Sequence, residues 1–225
     1  MLKITILFLL SIGLSNVNAH AAEASEQINN QAWLDDDSEF RSLEVNEGEL
    51  TFIMPVTDKS TLHSEIALTI DEQSITTGWV RLRQCYFNIN PVAATDIVYQ
   101  YKQIRNFIIT STQNIASARV DTQVVHLIDI TAGASICVAA DINVFKKTGD
   151  GIYVIDSGPY HLRFFDGYYP YHVSLTVSYP TEHIKFREIS PPSQPLFRVK
   201  ASGDYLTIDT WFEGVLNIRM EFESY

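Results

Sequence analysis

The chain reads as an all-β protein, an antiparallel β-sandwich of about ten strands, and three observations predict it. From Leu50 onward apolar and polar residues alternate with a period of two, the signature of strands with one face on a core. The alternating runs are rich in Val, Ile, Thr, Tyr and Phe, and clusters of Gly, Pro, Asn and Asp punctuate them. No helical pattern longer than a turn or two interrupts the series. Many short strands with compact connections indicate a sandwich or a barrel, and a sandwich is the reading adopted.

The elements follow in order. Lys3, the apolar run Ile4 to Leu14 and the small-residue ending Ala19-His20-Ala21 make residues 1–21 a cleavable signal peptide. That run falls short of the roughly 20 apolar residues a membrane span needs. Residues 22–49 form an acidic N-terminal arm around Asp35-Asp36-Asp37-Ser38-Glu39, a solvated run that lacks the alternating ligands and glycine of a calcium loop. Trp33, Leu34 and Phe40 are its candidate anchors.

Residues 50–225 make a single domain, with strands expected near 50–56, 64–70, 76–87, 95–101, 105–111, 117–130, 135–145 and 152–156. Turns fall at Asp71-Glu72-Gln73-Ser74, Asn88 to Pro91, Thr131-Ala132-Gly133 and Lys146 to Gly151. In Tyr171 to Tyr179 the odd-numbered residues share an apolar face, and Pro180 ends the strand. Leu216, Ile218, Met220 and Phe222 make the last strand amphipathic, and Glu213-Gly214 suggests a hairpin with Tyr205 to Phe212.

Cys85 and Cys137 are the two cysteines, and in an oxidising compartment they are expected to pair. Both fall off the aliphatic face of their strands, so the bond should join neighbouring strands of one sheet. An antiparallel register with Cys85 opposite Cys137 then sets Arg81 against Asp141, as an ion pair, and Trp79 against Asn143. Trp79 precedes both cysteines, unlike the order in immunoglobulin domains, so the architecture is Ig-like at most.

The formal net charge of −11 argues against phosphate backbones as partners, so no nucleic acid is expected. No later stretch is long and apolar enough for a membrane span, and no lipidation cysteine follows the leader. G-x-S-x-G, S-x-x-K, H-E-x-x-H and C-x-x-C are all missing, and no cofactor motif stands out. The densest set of chemically capable side chains is 157–172, expected as a loop or short hairpin carrying Tyr160, His161, Arg163, Asp166, Tyr168 and Tyr169. Tyrosines there offer flat amphipathic faces, and Arg163 and Asp166 offer polar contacts.

These residues support a periplasmic or secreted, non-enzymatic binding module that recognises an envelope protein or glycan. A second reading is a hydrolase using His161 and Asp166, with Ser157 as the third member of the set. A third rests on His20, which cleavage after Ala19 would expose as the mature N-terminus. It then resembles the histidine brace of lytic polysaccharide monooxygenases and the N-terminal histidine of CopC-like copper carriers, which implies copper binding. Cleavage after Ala21 discards it. His126 shares parity with Val120, Val124, Ile128 and Ile130, which predicts a buried core histidine and not a metal ligand.

Overall fold

The computed structural model describes residues 46–56, 61–164 and 167–225, so the leader and nearly all of the acidic arm lie outside the described residues. All described residues belong to the compact unit Glu44–Tyr225. The order is β1 (Thr51–Phe52), β2 (His63–Thr69), α1 (Glu72–Thr77), β3 (Trp79–Ile89), β4 (Val92–Val98), β5 (Ile104–Asp121), β6 (Val124–Asn143) and β7 (Lys146–Lys147). Then come β8 (Ile152–Tyr160), β9 (Leu162–Phe164), β10 (Gly167–Tyr169), β11 (Tyr171–Ser178), β12 (Ile184–Ser190), β13 (Phe197–Ser202), β14 (Tyr205–Glu213) and β15 (Leu216–Ser224).

Two sheets form the sandwich. The larger has nine strands ordered β1-β14-β11-β2-β3-β6-β4, with β13 beside β14 and β5 beside β6. The smaller runs β12-β15-β8-β7. Pairing is antiparallel except between β2 and β11, which run parallel from His63 opposite His172 to Thr69 opposite Ser178. Val173, Leu175 and Val177 of one sheet and Ile155, Met220 and Phe222 of the other belong to one buried core cluster. Alternation causes this: in β11 the odd residues are buried while His172, Ser174, Thr176 and Ser178 stay partly exposed.

The disulfide is present where parity put it. Cys85 and Cys137 face each other across β3 and β6 with Cα atoms 4.0 Å apart, and Arg81 opposite Asp141 and Trp79 opposite Asn143 follow in register. The expected Arg81–Asp141 ion pair does not form. β5 flanks β6 on its other side and sets Arg105 opposite the same aspartate. Arg105 Nε lies 3.3 Å from Asp141 Oδ2, Asn106 Nδ2 donates to that oxygen at 2.7 Å, and Arg81 turns to Asp71 at 3.8 Å.

Four further expectations are corrected. The turn at 71–74 continues into α1, because the Asp71 side chain accepts from Ser74 N while Ser74 Oγ accepts from Asp71 N, a reciprocal cap. The expected strands 105–111, 117–130 and 135–145 are two long strands, β5 and β6, joined at Thr122-Gln123 with Thr122 at φ 54°. Bulges absorb the irregular pattern, and residues 131–133 stay within β6.

The same irregularity reverses the parity of His126. Val125 and Leu127 are the buried residues, His126 is partly exposed, and its Nδ1 sits 2.7 Å from Asp96 Oδ1. Asp129, at φ 52°, lies where the buried face passes from Leu127 to Ile130. Lastly, β14 and β15 are not a hairpin. β14 is flanked by β11 on one side and by β13 and β1 on the other, so β15 crosses to the second sheet and pairs with β8 and β12. The crossing passes Gly214, at φ 85°, where an added Cβ would run into the Glu49 carbonyl oxygen.

Candidate functional site

The aromatic segment does contain a short hairpin. β8 carries the chain to Tyr160, then β9 and β10 pair with Tyr168 opposite Arg163 and Tyr169 opposite Leu162. Asn46 forms a bridge to Tyr168. The hairpin holds its side chains by ring contacts: Arg163 lies over the Tyr168 ring at 5.4 Å, His161 meets that ring edge-on at 5.8 Å, and Phe164 meets Tyr169 edge-on at 5.2 Å. His161 and Arg163 are exposed, Tyr168 is half-buried and Tyr169 is 37 % exposed.

Tyr160 is placed differently from its neighbours. It is 8 % exposed, ends β8 inside the core cluster, and its hydroxyl hydrogen-bonds to the buried Ser157. Tyr171 is also buried. Both close the core, so among the described residues of the segment the exposed large aromatics are Phe164 and Tyr169, with Tyr168 half-buried beside them. Asp166 lies outside the described residues.

Beside the hairpin is a groove of about 680 Å³, walled on one side by β4 and residues 99–101 and on the other by residues 158–164. That volume lies inside the range of small-molecule sites. Leu62, Ile89, Ile97, Val98 and Leu162 give it an aliphatic lining, and Tyr86, Tyr99, Tyr101, Tyr160 and Tyr171 contribute phenol rings. Val98 at 59 % and Phe164 at 43 % exposure stand on opposite walls. β4 reaches this position because Asn90-Pro91 follows β3 directly, and β4 then pairs with the first half of β6.

The groove's electrostatics are simple. Burial raises the pKa of all five tyrosines, that of Tyr160 to about 12 against the opposing hydrogen bond from Ser157, so the phenols are neutral at physiological pH. Burial, and then the Arg163 charge, lowers His161, so its imidazole is neutral there too. Gln84 donates to Ser64 Oγ at 2.8 Å, and the lining carboxylate Asp96 is held by His126. The Tyr99 hydroxyl is buried beside the Tyr86 phenol, which partly offsets the effect of burial on it, and completes no well-formed hydrogen bond among the described residues. Arg163 makes no ion pair with any described carboxylate.

The sequence reading missed Tyr86, Tyr99, Tyr101 and the β4 wall, although the spacing Tyr99-x-Tyr101 after a strand was the available signal. It also missed an aromatic row on the outer face of the large sheet. His63 stacks on His172 at 4.0 Å, His172 stacks on Trp211 at 4.5 Å, and Phe87 stands 5.9 Å from His63. Ser174 Oγ lies 2.9 Å from His63 Nε2 and 2.9 Å from Asp209 Oδ2, and Asp209 also takes His172 Nε2 at 3.1 Å.

That row is not a hydrolytic triad, because the carboxylate meets the hydroxyl and the second imidazole instead of orienting His63 from its far nitrogen. The near-parallel rings of His63 and His172, 13° apart, also cannot aim in-plane lone pairs at a common metal without turning. Elsewhere, Glu72, Glu182 and His183 bring donor atoms within 4.8 Å of one another, all on exposed residues.

No family model matches the chain, and no curated relative matches it. Solved structures of M1 zinc metallopeptidases show a distant likeness. One from Deinococcus radiodurans, a point variant bound to substrate, has a TM-score of 0.39 at 10 % identity over 76 % of this chain and 44 % of that one. A two-domain variant bound to L-tryptophan gives 0.36 at 14 % identity over 76 % and 44 %, and a further Deinococcus radiodurans structure gives 0.35 at 13 % identity over 80 % and 43 %. This chain therefore spans less than half the length of those proteins.

Proposed function

We propose that the protein is a non-enzymatic binding module that acts outside the cytoplasm, in the periplasm or after secretion, and takes up part of an envelope component beside the hairpin Leu162–Tyr169. The observation that carries this reading is the groove itself: an apolar, water-open cavity with aliphatic and aromatic side chains exposed on both walls. The disulfide supports an oxidising compartment. Among the described residues no helix is long and apolar enough to cross a membrane.

The binding reading is preferred to hydrolysis because the Ser157 hydroxyl is buried against the Tyr160 phenol, away from the role of a nucleophile beside His161. The groove's titratable groups are neutral phenols, the neutral His161, the cation Arg163 and Asp96, which is paired with His126, a set that suits recognition better than proton transfer at neutral pH. The copper reading depends on His20, outside the described residues.

Retention assays test the proposal. The purified protein and its Ala94→Trp variant, which fills the groove from an exposed position of β4, are presented with lipid, glycan and protein fractions of the cell envelope. One fraction should retain the wild type and release the variant. Equal retention of both proteins by every fraction, or retention of neither, overturns the reading.

A further inference from the structure

Resting on that reading, we infer that the groove binds a single-chain amphiphile with a carboxylate head, its acyl chain lying along the apolar wall of Ile89, Ile97, Val98 and Leu162 and its head meeting Arg163. The argument is one of chemical matching. A glycan carries hydroxyl groups on most carbons and a peptide carries an amide at every residue, and each group withdrawn from water without a partner costs about 1–3 kcal/mol. Apolar and aromatic side chains make most of the groove's lining, and of its polar groups Gln84 is committed to Ser64, Asp96 to His126 and the Tyr160 hydroxyl to Ser157, which leaves Asn90, Thr95, Gln100 and the Tyr86, Tyr99 and Tyr101 hydroxyls to share among the many groups of a polar ligand. An alkyl chain asks for no partners and gains roughly 0.8 kcal/mol per buried methylene.

The head is fixed by charge. Arg163 is exposed, lines the groove beside the neutral His161, and lies over Tyr168 at 5.4 Å, which restrains the guanidinium without neutralising it. Its planar fork matches a carboxylate in two parallel hydrogen bonds. Among the described residues Arg163 is the one cation that lines the cavity. A monoanion balances it, whereas the double charge of a phosphate monoester would leave negative charge unpaired near Asp96.

Fluorescence titration with cis-parinaric acid, displaced in turn by palmitate, hexadecanol and hexadecyl phosphate, tests the inference. The wild type should bind the probe saturably, with palmitate displacing it best. Arg163→Gln should weaken palmitate at least tenfold and leave hexadecanol unchanged, and Ala94→Trp should abolish binding of both while retaining the wild-type melting temperature within a few degrees. Arg163 and Ala94 are exposed, so both variants should fold. The inference is overturned by an unsaturable probe signal, by palmitate affinity indifferent to Arg163→Gln, or by hexadecyl phosphate outcompeting palmitate. If the amphiphiles fail while a glycan or protein fraction is still lost on Ala94→Trp, the ligand class is wrong and the binding module stands. If both fail, both fall.

Discussion

Replacing the four segment tyrosines one at a time by alanine separates ring burial from ring display. Tyr160 and Tyr171 are 8 % and 3 % exposed and lie in the core cluster, so losing either ring removes an aromatic side chain and leaves a cavity, at about 3–5 kcal/mol. Tyr160→Ala also strips the partner from the buried Ser157 hydroxyl, adding about 1 kcal/mol or more. Tyr169→Ala, at 37 % exposure, should cost clearly less than either, about 1 kcal/mol. Tyr168→Ala should fall between, about 1–2 kcal/mol, because its ring touches Arg163, His161 and the chain at Gly48. Urea unfolding at constant m reads these differences directly. Equal losses for all four would show that the hairpin is part of the core and would remove the exposed rim on which the functional reading depends.

Tyr99→Phe should change stability by no more than about 1 kcal/mol, since the buried hydroxyl completes no well-formed hydrogen bond and interacts only weakly with the Tyr86 phenol, and a larger loss in urea melts would show that the two phenols are bonded. The double variant Cys85→Ala, Cys137→Ala should lose up to about 4 kcal/mol from reopening a 52-residue separation, checked by melts of the oxidised and variant proteins. Gly214→Ala should cost more than about 2 kcal/mol, because it combines a left-handed φ with a clash against the Glu49 backbone; a wild-type melting temperature would contradict the crossing geometry. Burial first, and then the neighbouring His172, lowers the His63 pKa below 6.5 in the folded state. The unfolded chain therefore takes up the proton first as pH falls, so this contribution is whole above about pH 6.5 and is lost as pH falls through the folded pKa. His63→Phe should flatten the drop in melting temperature between pH 7.5 and pH 5, and an unchanged drop would count against the assignment.

The parts of the fold legible in the sequence were those set by one strand at a time. Tyr171 to Tyr179 and Leu216 to Phe222 alternate cleanly, and the residues the pattern sends inward are buried. The cysteine register was legible for a related reason: parity assigns a face, and a covalent crosslink between equal faces then fixes the neighbour, with Trp79 and Arg81 following without further information. What parity could not supply was the second neighbour. Asp141 has β3 on one side and β5 on the other, and Arg105 won it from Arg81. His126 failed for want of the bulge, since one residue with positive φ at Asp129 moves a whole run of side chains to the other face.

The site was half legible for a comparable reason. Residues 157–172 are contiguous, so their density of aromatics was visible, and their hairpin followed from the turn signal at Asp166-Gly167, whereas Gly158-Pro159, also read as a turn, lies inside β8. The opposite wall comes from β4 and residues 99–101, some sixty positions earlier, and nothing in either stretch announces the other. They meet because β6 is long enough to seat β3 along one half and β4 along the other, bringing the end of β4 toward the end of β8. The same topology explains the division of labour among the tyrosines. Tyr160 and Tyr171 bracket the hairpin, one at the end of β8 and one at the start of β11, and anchor it to the core. Between them His161 to Phe164 are left to face the groove, so a change at the anchors should register as lost stability and a change at Arg163 as lost affinity.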